Sequence, residues 1–393
     1  MKNTMKKGIK LVALSLMIAT FTTSCSSDDS NNNGVKTDFV LDRNDFKGDI
    51  NKGEVVLETG TYTLTGRLLV KDGAKLTIKP GVTILSNASD DGIIRYIAVA
   101  QGGKIDVQGT AMNPVVMTSE NNTPGAWGGL VLCGKAPINR GITAQAEVSD
   151  LTYGGNDASD SSGSIKYLRI ENSGFAYNSE KEFNGLSMFG VGSGTTIEYV
   201  QVHNGSDDGF EWFGGTVDAR YLVVTNLHQE VADDMFDWTE GWSGTGEYWY
   251  GVRNNASNRG IEADNNSSDH TVTPISNPTI KHLTLVGSGV DGGGENQALK
   301  LRVGTKAQFD NVVLKDWGTG FDIQHDESVG YVADGQLKAI KVKFENVAIT
   351  SKGKDTSGAD ADVSNVYTID NTATGAGNGS DKPNWAIGWT IGF

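Results

Sequence analysis

Two short segments of the sequence gather carboxylates beside aromatic residues in the same order. They are SDDGFEW at 206–212 and ADDMFDW at 232–238, so Asp207 and Asp208 lie 26 residues before Asp233 and Asp234. Glu211 matches Asp237, and Trp212 matches Trp238. If the copies occupy neighbouring turns of one repetitive fold, equivalent atoms lie about 4.8 Å apart. Unit charges at that distance repel by about 1 kcal/mol in water, and by several times that near a protein surface. Such a column needs a cation, arginines or protons. Otherwise its side chains splay into solvent and cap turns by accepting backbone N–H groups. Ca²⁺ fits best among common metals because it takes about 6–8 oxygen ligands in irregular geometry. Mg²⁺ keeps more water, and Zn²⁺ wants nitrogen or sulfur. The expected ligands are Asp207, Asp208, Glu211, Asp233, Asp234 and Asp237, with Arg220 and Arg253 as local counter-charges.

The aromatic half follows from strand alternation. If Glu211 and Asp237 point outward, Trp212 and Trp238 point into the core. Trp242, Tyr248 and Trp249, in GWSGTGEYWYG, read as part of an inserted loop and therefore as exposed platforms. With Arg220 they are the expected ligand contacts, since an aromatic face beside carboxylates can bind a sugar ring.

No catalytic residue is assigned. GSDDG resembles the double aspartate of polygalacturonase-like glycosidases, which use carboxylates as general acid and base. Only Asp207 and Asp208 match, and the Gly-His-Gly and Arg-Ile-Lys signatures of that group are missing. Pectate-lyase-like enzymes set a basic residue beside Ca²⁺ carboxylates. Lys300 and Arg302 are the residues available for that part, but no spacing rule brings them to Asp233. The five histidines form no constellation, and nucleophile-elbow, phosphate-loop and dinucleotide motifs are lacking.

The elements that must position these residues are short strands. GTYTLTGRLLVKDGAKLTIKPGVTILS at 60–86 alternates apolar and polar residues between glycine-rich breaks. A six-residue phrase then recurs: IKYLRI at 165, IEYVQV at 197, ARYLVV at 219, IKHLTL at 280, FDNVVL at 309 and FENVAI at 344. Positions one, four and six are apolar throughout, which implies a bend after position one and then an inward-facing strand. Self-similarity with one short strand per unit predicts a solenoid, whose coils bury apolar surface only against their neighbours. A β-sandwich is the competing all-β fold. GAKLTIKPGVTI and GGKIDVQGTAMNPVVMTSE resemble the opening coils of pectin-lyase-like proteins. The expected fold is thus all-β: a right-handed parallel β-helix with inserted loops at 151–164, around 240–279 and at 353–383. The closing NWAIGWTIGF is expected to seal the last coil.

Composition narrows the partners. A net charge of −15 over 393 residues argues against nucleic acid and against docking on an anionic membrane. The basic MKNTMKK, the apolar IKLVALSLMIATF and the small residues before Cys25 resemble a bacterial lipoprotein signal peptide. That resemblance implies cleavage after residue 24, lipidation of Cys25 and a membrane link through the lipid alone. The following SSDDS resembles the acidic tag of surface-exposed lipoproteins of the Bacteroidota. Residues 25–50 are expected to be a polar tether, and 51–393 a single β-helix domain. Cys133 would then be the only thiol of the mature chain and reads as a small buried hydrophobe. The expected protein is an outer-membrane, cell-surface lipoprotein whose β-helix binds glycan or another small nutrient. The resemblance adds a transporter as possible partner. A polysaccharide lyase or glycoside hydrolase is the rival reading, and a structural or adhesive protein the third.

Overall fold

The computed structural model describes residues 35–89, 91–178, 181–226, 232–254 and 257–393. The leader, Cys25 and the polar run to residue 34 lie outside the described residues. Strands are the main regular structure of the rest, with one α-helix among the described residues at Asp326–Ala333.

Each coil contributes to three faces. The first passes through Gly53–Leu57, Ala74–Ile78 and Lys104–Gln108 to the opening half of Gly163–Glu171. The second passes through Val82–Ser86 and Val115–Ser119 to the closing half of the same strand. The third passes through Ile97–Val99, Leu130–Cys133, Leu186–Phe189, Phe210–Phe213, Phe236–Thr239, Ile261–Ala263 and Gln297–Leu301. These ladders are parallel, and among the described residues the one antiparallel pair of named strands is the small hairpin Ala144–Gln145 with Thr152–Tyr153. The chain is a parallel β-helix, not a sandwich.

The repeated phrase is the corner between the first and second faces. Ile165, Ile197 and Ala219 are register partners, as are Leu168, Val200 and Leu222. The bend falls on position three itself. Tyr167, Tyr199, Tyr221, Tyr248, His282 and Asn311 have φ between 51° and 62°. That left-handed conformation costs an ordinary residue about 1–2 kcal/mol. Ring stacking up the column offsets it, with centroids 4.4 Å apart for Tyr167–Tyr199, 4.3 Å for Tyr199–Tyr221 and 4.4 Å for Tyr248–His282.

Four expectations need correction. The inserted loop around 240–279 contains a whole coil: Thr245–Arg253 pairs with both Ala219–Asn226 and Thr279–Val286. Its phrase, GEYWYG, puts glycine at positions one and six, because a Cβ at Gly246 would lie 2.5 Å from the Trp249 ring and one at Gly251 would strike Met235. FENVAI is not the next rung, since Phe344 pairs with Leu314 and Val347 with Trp317. The rung after Asn311 is Lys341, with φ 55°. The solenoid also begins inside the segment expected to be tether: Phe46–Ile50 is a strand paired with Gly60–Val70, with Phe46 and Ile50 in the core.

Last, NWAIGWTIGF does not seal the end. Val363, Val366 and Tyr367 close that end of the core, against Phe321 and Phe344. Residues 374–393 instead run back along the side of the helix as a strap over the ring column. Trp389 meets Tyr167 and Tyr199 edge-on, and Trp385 meets Tyr221.

Outside the third face, residues of the 135–160 segment build a second apolar cluster. Ile138, Ala146, Val148 and Tyr153 cover Leu69, Ala98, Val131 and Cys133. Burial pushes the Cys133 thiol up to about 12, so it is an inert small hydrophobe here.

Candidate functional site

One outward column runs the length of the third face. Leu69, Ala98, Val131, Ser187, Glu211, Asp237, Glu262, Lys300, Asp322 and Lys352 are each the register partner of the next. The first three are apolar and covered. The last three alternate in sign, with Lys352 3.0 Å from Asp322. Between them stand Ser187 and then three carboxylates in succession.

The turn entering this face carries a second acidic column beside the first. Its frame reads Asn184-Gly-Leu-Ser187, Asp208-Gly-Phe-Glu211, Asp234-Met-Phe-Asp237 and Arg259-Gly-Ile-Glu262 on consecutive coils. The two acidic copies are therefore the middle rungs of a longer series. Asn184, Arg259 and Glu262 belong to the site but went unrecognised in the sequence. The signal was the shared spacing of NGLS and RGIE, hidden because charge changes at each rung.

All six expected ligands come together. Carboxylate oxygens of Asp207, Asp208 and Asp233 lie within 4.8 Å of one another, as do those of Asp208, Glu211 and Asp237, and those of Asp234, Asp237 and Glu262. Turn capping is also present, on one oxygen of each second aspartate. Asp208 accepts the Asp234 N–H at 2.8 Å, and Asp234 accepts the Arg259 N–H at 2.6 Å.

Positive charge collects at one end of the column. Arg259 pairs with Asp234 at 3.1 Å and with Glu262 at 3.2 Å. Arg302 pairs with Glu262 at 3.0 Å and with Asp264 at 2.9 Å. Among the described residues, the expected counter-charges form no ion pair with the columns. Arg220 is on the first face, 2.7 Å from Glu198. Arg253 is buried, donates to the carbonyls of Ser257 and Gly293, and lies over the Trp317 ring.

Burial, and then mutual repulsion, push Asp207, Asp208, Glu211 and Asp237 well above the usual carboxylate range. Burial and Asp233 raise Asp234 to about 8 even with Arg259 beside it. Glu147, on the covering segment, is raised to about 7 by burial and by Glu240. These shifts mark a place where negative charge is gathered but not balanced by the chain itself.

The donor set fits a hard cation. Asn184 is 1% exposed and turns its amide toward the column, donating to Glu211 and to Ser187. Its carbonyl oxygen has no hydrogen-bond partner among the described residues. A buried, unpartnered amide oxygen beside carboxylates is a suitable additional ligand for Ca²⁺.

The expected aromatic platforms are elsewhere. Trp242 and Trp249 are fully buried, not exposed. Both stack on Trp212, at 4.6 Å and 5.0 Å, and their indole N–H groups donate to the carbonyls of Val217 and Ala219. Trp249 is in the core because it holds position four of the unrecognised phrase. Tyr248 is a rung of the ring column, 5.0 Å from Tyr221. Lys300, a possible base by sequence, is mostly buried and paired with Glu262 and Glu295.

No curated protein and no solved structure matches the chain. A family model described as a pectate-lyase-like β-helix domain matches residues 48–390. The match spans the coils from the first strand to the strap, the same region in which the three parallel faces and the acidic columns are built. By fold and by sequence alike, the chain belongs to the pectate-lyase-like β-helix domain family.

Proposed function

We propose that this is a lipid-anchored cell-surface protein whose β-helix binds glycan or another nutrient, with Ca²⁺ held in the acidic columns. The outer-membrane location, the anchor at Cys25 and a transporter partner follow from the resemblance of residues 1–30 to surface lipoproteins. The observation that supports the cation is the set of three overlapping carboxylate groups on adjacent coils, with the buried, unpartnered amide oxygen of Asn184 on a side chain that contacts Glu211. Calorimetric titration of the EDTA-stripped protein with CaCl₂ tests it. Saturable binding is expected, weakened at least tenfold in Asp208→Asn and Asp237→Asn. A heat signal no larger than dilution, with a melting temperature unmoved by Ca²⁺ or EDTA, sinks the cation.

A second reading, as polysaccharide lyase or glycoside hydrolase, is favoured by one observation. Glu147, raised to about 7, overlooks Glu211 and is in the range of a general acid. Lys300 and Arg302 are engaged in ion pairs, which weighs against either as a base. Unsaturated or reducing-end products from a polysaccharide panel, lost in Glu147→Gln, would make it an enzyme.

A further inference from the structure

With Trp242 and Trp249 in the core, the proposed glycan binding needs other aromatic faces. The turn that carries Asp207 and Asp233 on the middle coils corresponds on the earlier coils to the segments leading into the third face, whose described residues are 87–89, 91–96, 120–129, 172–178 and 181–185. Between these segments lie two adjoining clefts. One, of about 420 Å³, is lined by Asn87, Ser89, Ile93, Asn121 and Phe175. The other, of about 500 Å³, is lined by Tyr96, Glu147, Tyr177 and Lys181. Ile94 lines both, so the two lie side by side and are treated together as one groove. Each volume is within the range of small-molecule sites.

We propose that this groove binds an uncharged oligosaccharide, with Phe175 and Tyr177 as stacking platforms. The inference rests on the glycan-binding reading above and gives it a location and a substrate class. Phe175 and Tyr177 are 36% and 53% exposed, and Ile93 is 49% exposed, so three large apolar side chains border a polar-lined groove. The two aromatics stand two residues apart on a hairpin limb bridged by Ala176 and Glu182, which puts both on one side, about 7 Å apart. Sugars present apolar faces to rings and hydroxyls to amides, and Asn87 and Asn121 supply the amides.

The charge pattern excludes an anionic ligand as the natural occupant. Arg95 is taken up by Asp91 at 2.8 Å and by the carbonyl of Ile93. Arg67 is held by Asp49 at 2.7 Å. Lys181 faces Glu147. The groove thus offers no open cation cluster, and its far end borders the acidic columns.

Affinity measurements on the full mature protein in CaCl₂ test the proposal. The probes are β-linked gluco-, xylo-, manno- and galacto-oligosaccharides, with oligogalacturonate as the charged comparison. At least one neutral series is expected to bind, with Kd raised about threefold to tenfold in Phe175→Ala and in Tyr177→Ala at unchanged melting temperature. Neutral-glycan binding unaltered in the double variant overturns the groove but leaves the glycan reading standing. A preference for oligogalacturonate overturns the neutral class. Binding of none of these glycans removes the glycan reading and the groove together, whether or not Ca²⁺ binds.

Discussion

Asp237 is the direct register partner of Glu211 on the next coil, whereas one rung further Glu262 is answered by Lys300. The same ladder position therefore passes from like charges to opposite charges within three rungs. Lys300, Asp322 and Lys352 show how this fold balances such a column when balance is all that is required. The run from Glu211 to Glu262 departs from that pattern where the turn aspartates crowd in beside it.

That departure sets a pH dependence. A carboxyl raised in the folded state keeps its proton there while the unfolded chain has lost it, so stability falls as pH rises toward the folded pKa. Glu147 and Asp234 rise from the ordinary carboxylate range of about 4 to about 7 and about 8 in the fold. Their contribution is lost from about pH 4 up to those values, and pH 6.5–8 is the upper part of that window. His203 and His325, both lowered, act in the opposite sense at more acidic pH, below the ordinary histidine value of about 6.5. In EDTA, unfolding free energy is expected to drop across pH 6.5–8 by about 1.4 kcal/mol per unit for each net proton. Urea titrations at several pH values check this. Asp237→Asn should flatten the slope, and a stability that rises over that window would contradict the unbalanced column.

The burial of Trp249 separates core from platform. Trp249→Ala should cost about 3–5 kcal/mol, as large-to-small core changes do. Gly246→Ala should cost about 1–3 kcal/mol, because its new Cβ meets the same ring at 2.5 Å. Urea denaturation of both variants tests the pair. A Trp249→Ala protein of unchanged stability would return that residue to the surface.

The ring column makes a prediction about residue type. Tyr221 sits at φ 58°, between Tyr199 and Tyr248. Asparagine tolerates that conformation and does so at Asn311, whereas a β-branched residue is a true outlier there. Tyr221→Val is expected to be less stable than Tyr221→Asn by at least about 1 kcal/mol. Equal stabilities would mean that the corner does not constrain φ.

How far the sequence could be read depended on what each position had to satisfy. The rungs at Tyr167, Tyr199 and Tyr221 were legible because a left-handed corner restricts residue choice while the flanking strands demand apolar residues. The rung at Tyr248 was not, because Trp249 and Met235 fill the space that larger residues occupy elsewhere and force Gly246 and Gly251. The acidic rungs were legible as a pair. Asn184 and Arg259 were invisible beside them, since charge and side-chain length change from coil to coil at that one position. The strap could not be read at all: Asn311 and Gln201 hold residues 63 and 190 positions away.

The strap carries the last prediction. Several coils hold its backbone through side chains. Asn311 accepts the N–H groups of Thr374 and Gly375 at 2.8 and 3.0 Å. Thr284 accepts from Ala376 at 2.9 Å and donates to Gly379 at 2.8 Å. Gln201 donates to the Ile391 carbonyl at 2.7 Å and accepts its N–H at 3.0 Å, pairing with it as a strand would. Over these contacts Trp389, Ala386 and Ala376 bury a third apolar cluster with Val223 and Tyr250. Removing residues 374–393 would expose that cluster, at about 25 cal/mol for each Å² of apolar surface. The truncated protein is expected to melt at least about 5 °C lower and to bind a hydrophobic dye along the uncovered rings. Its Ca²⁺ affinity should stay within about twofold, since none of these contacts involves Asp207, Glu211 or Asp237. An unchanged melting temperature would reduce the strap to a passenger. A lost Ca²⁺ affinity would mean that the ring column and the acidic columns are held together by more than the coils they share.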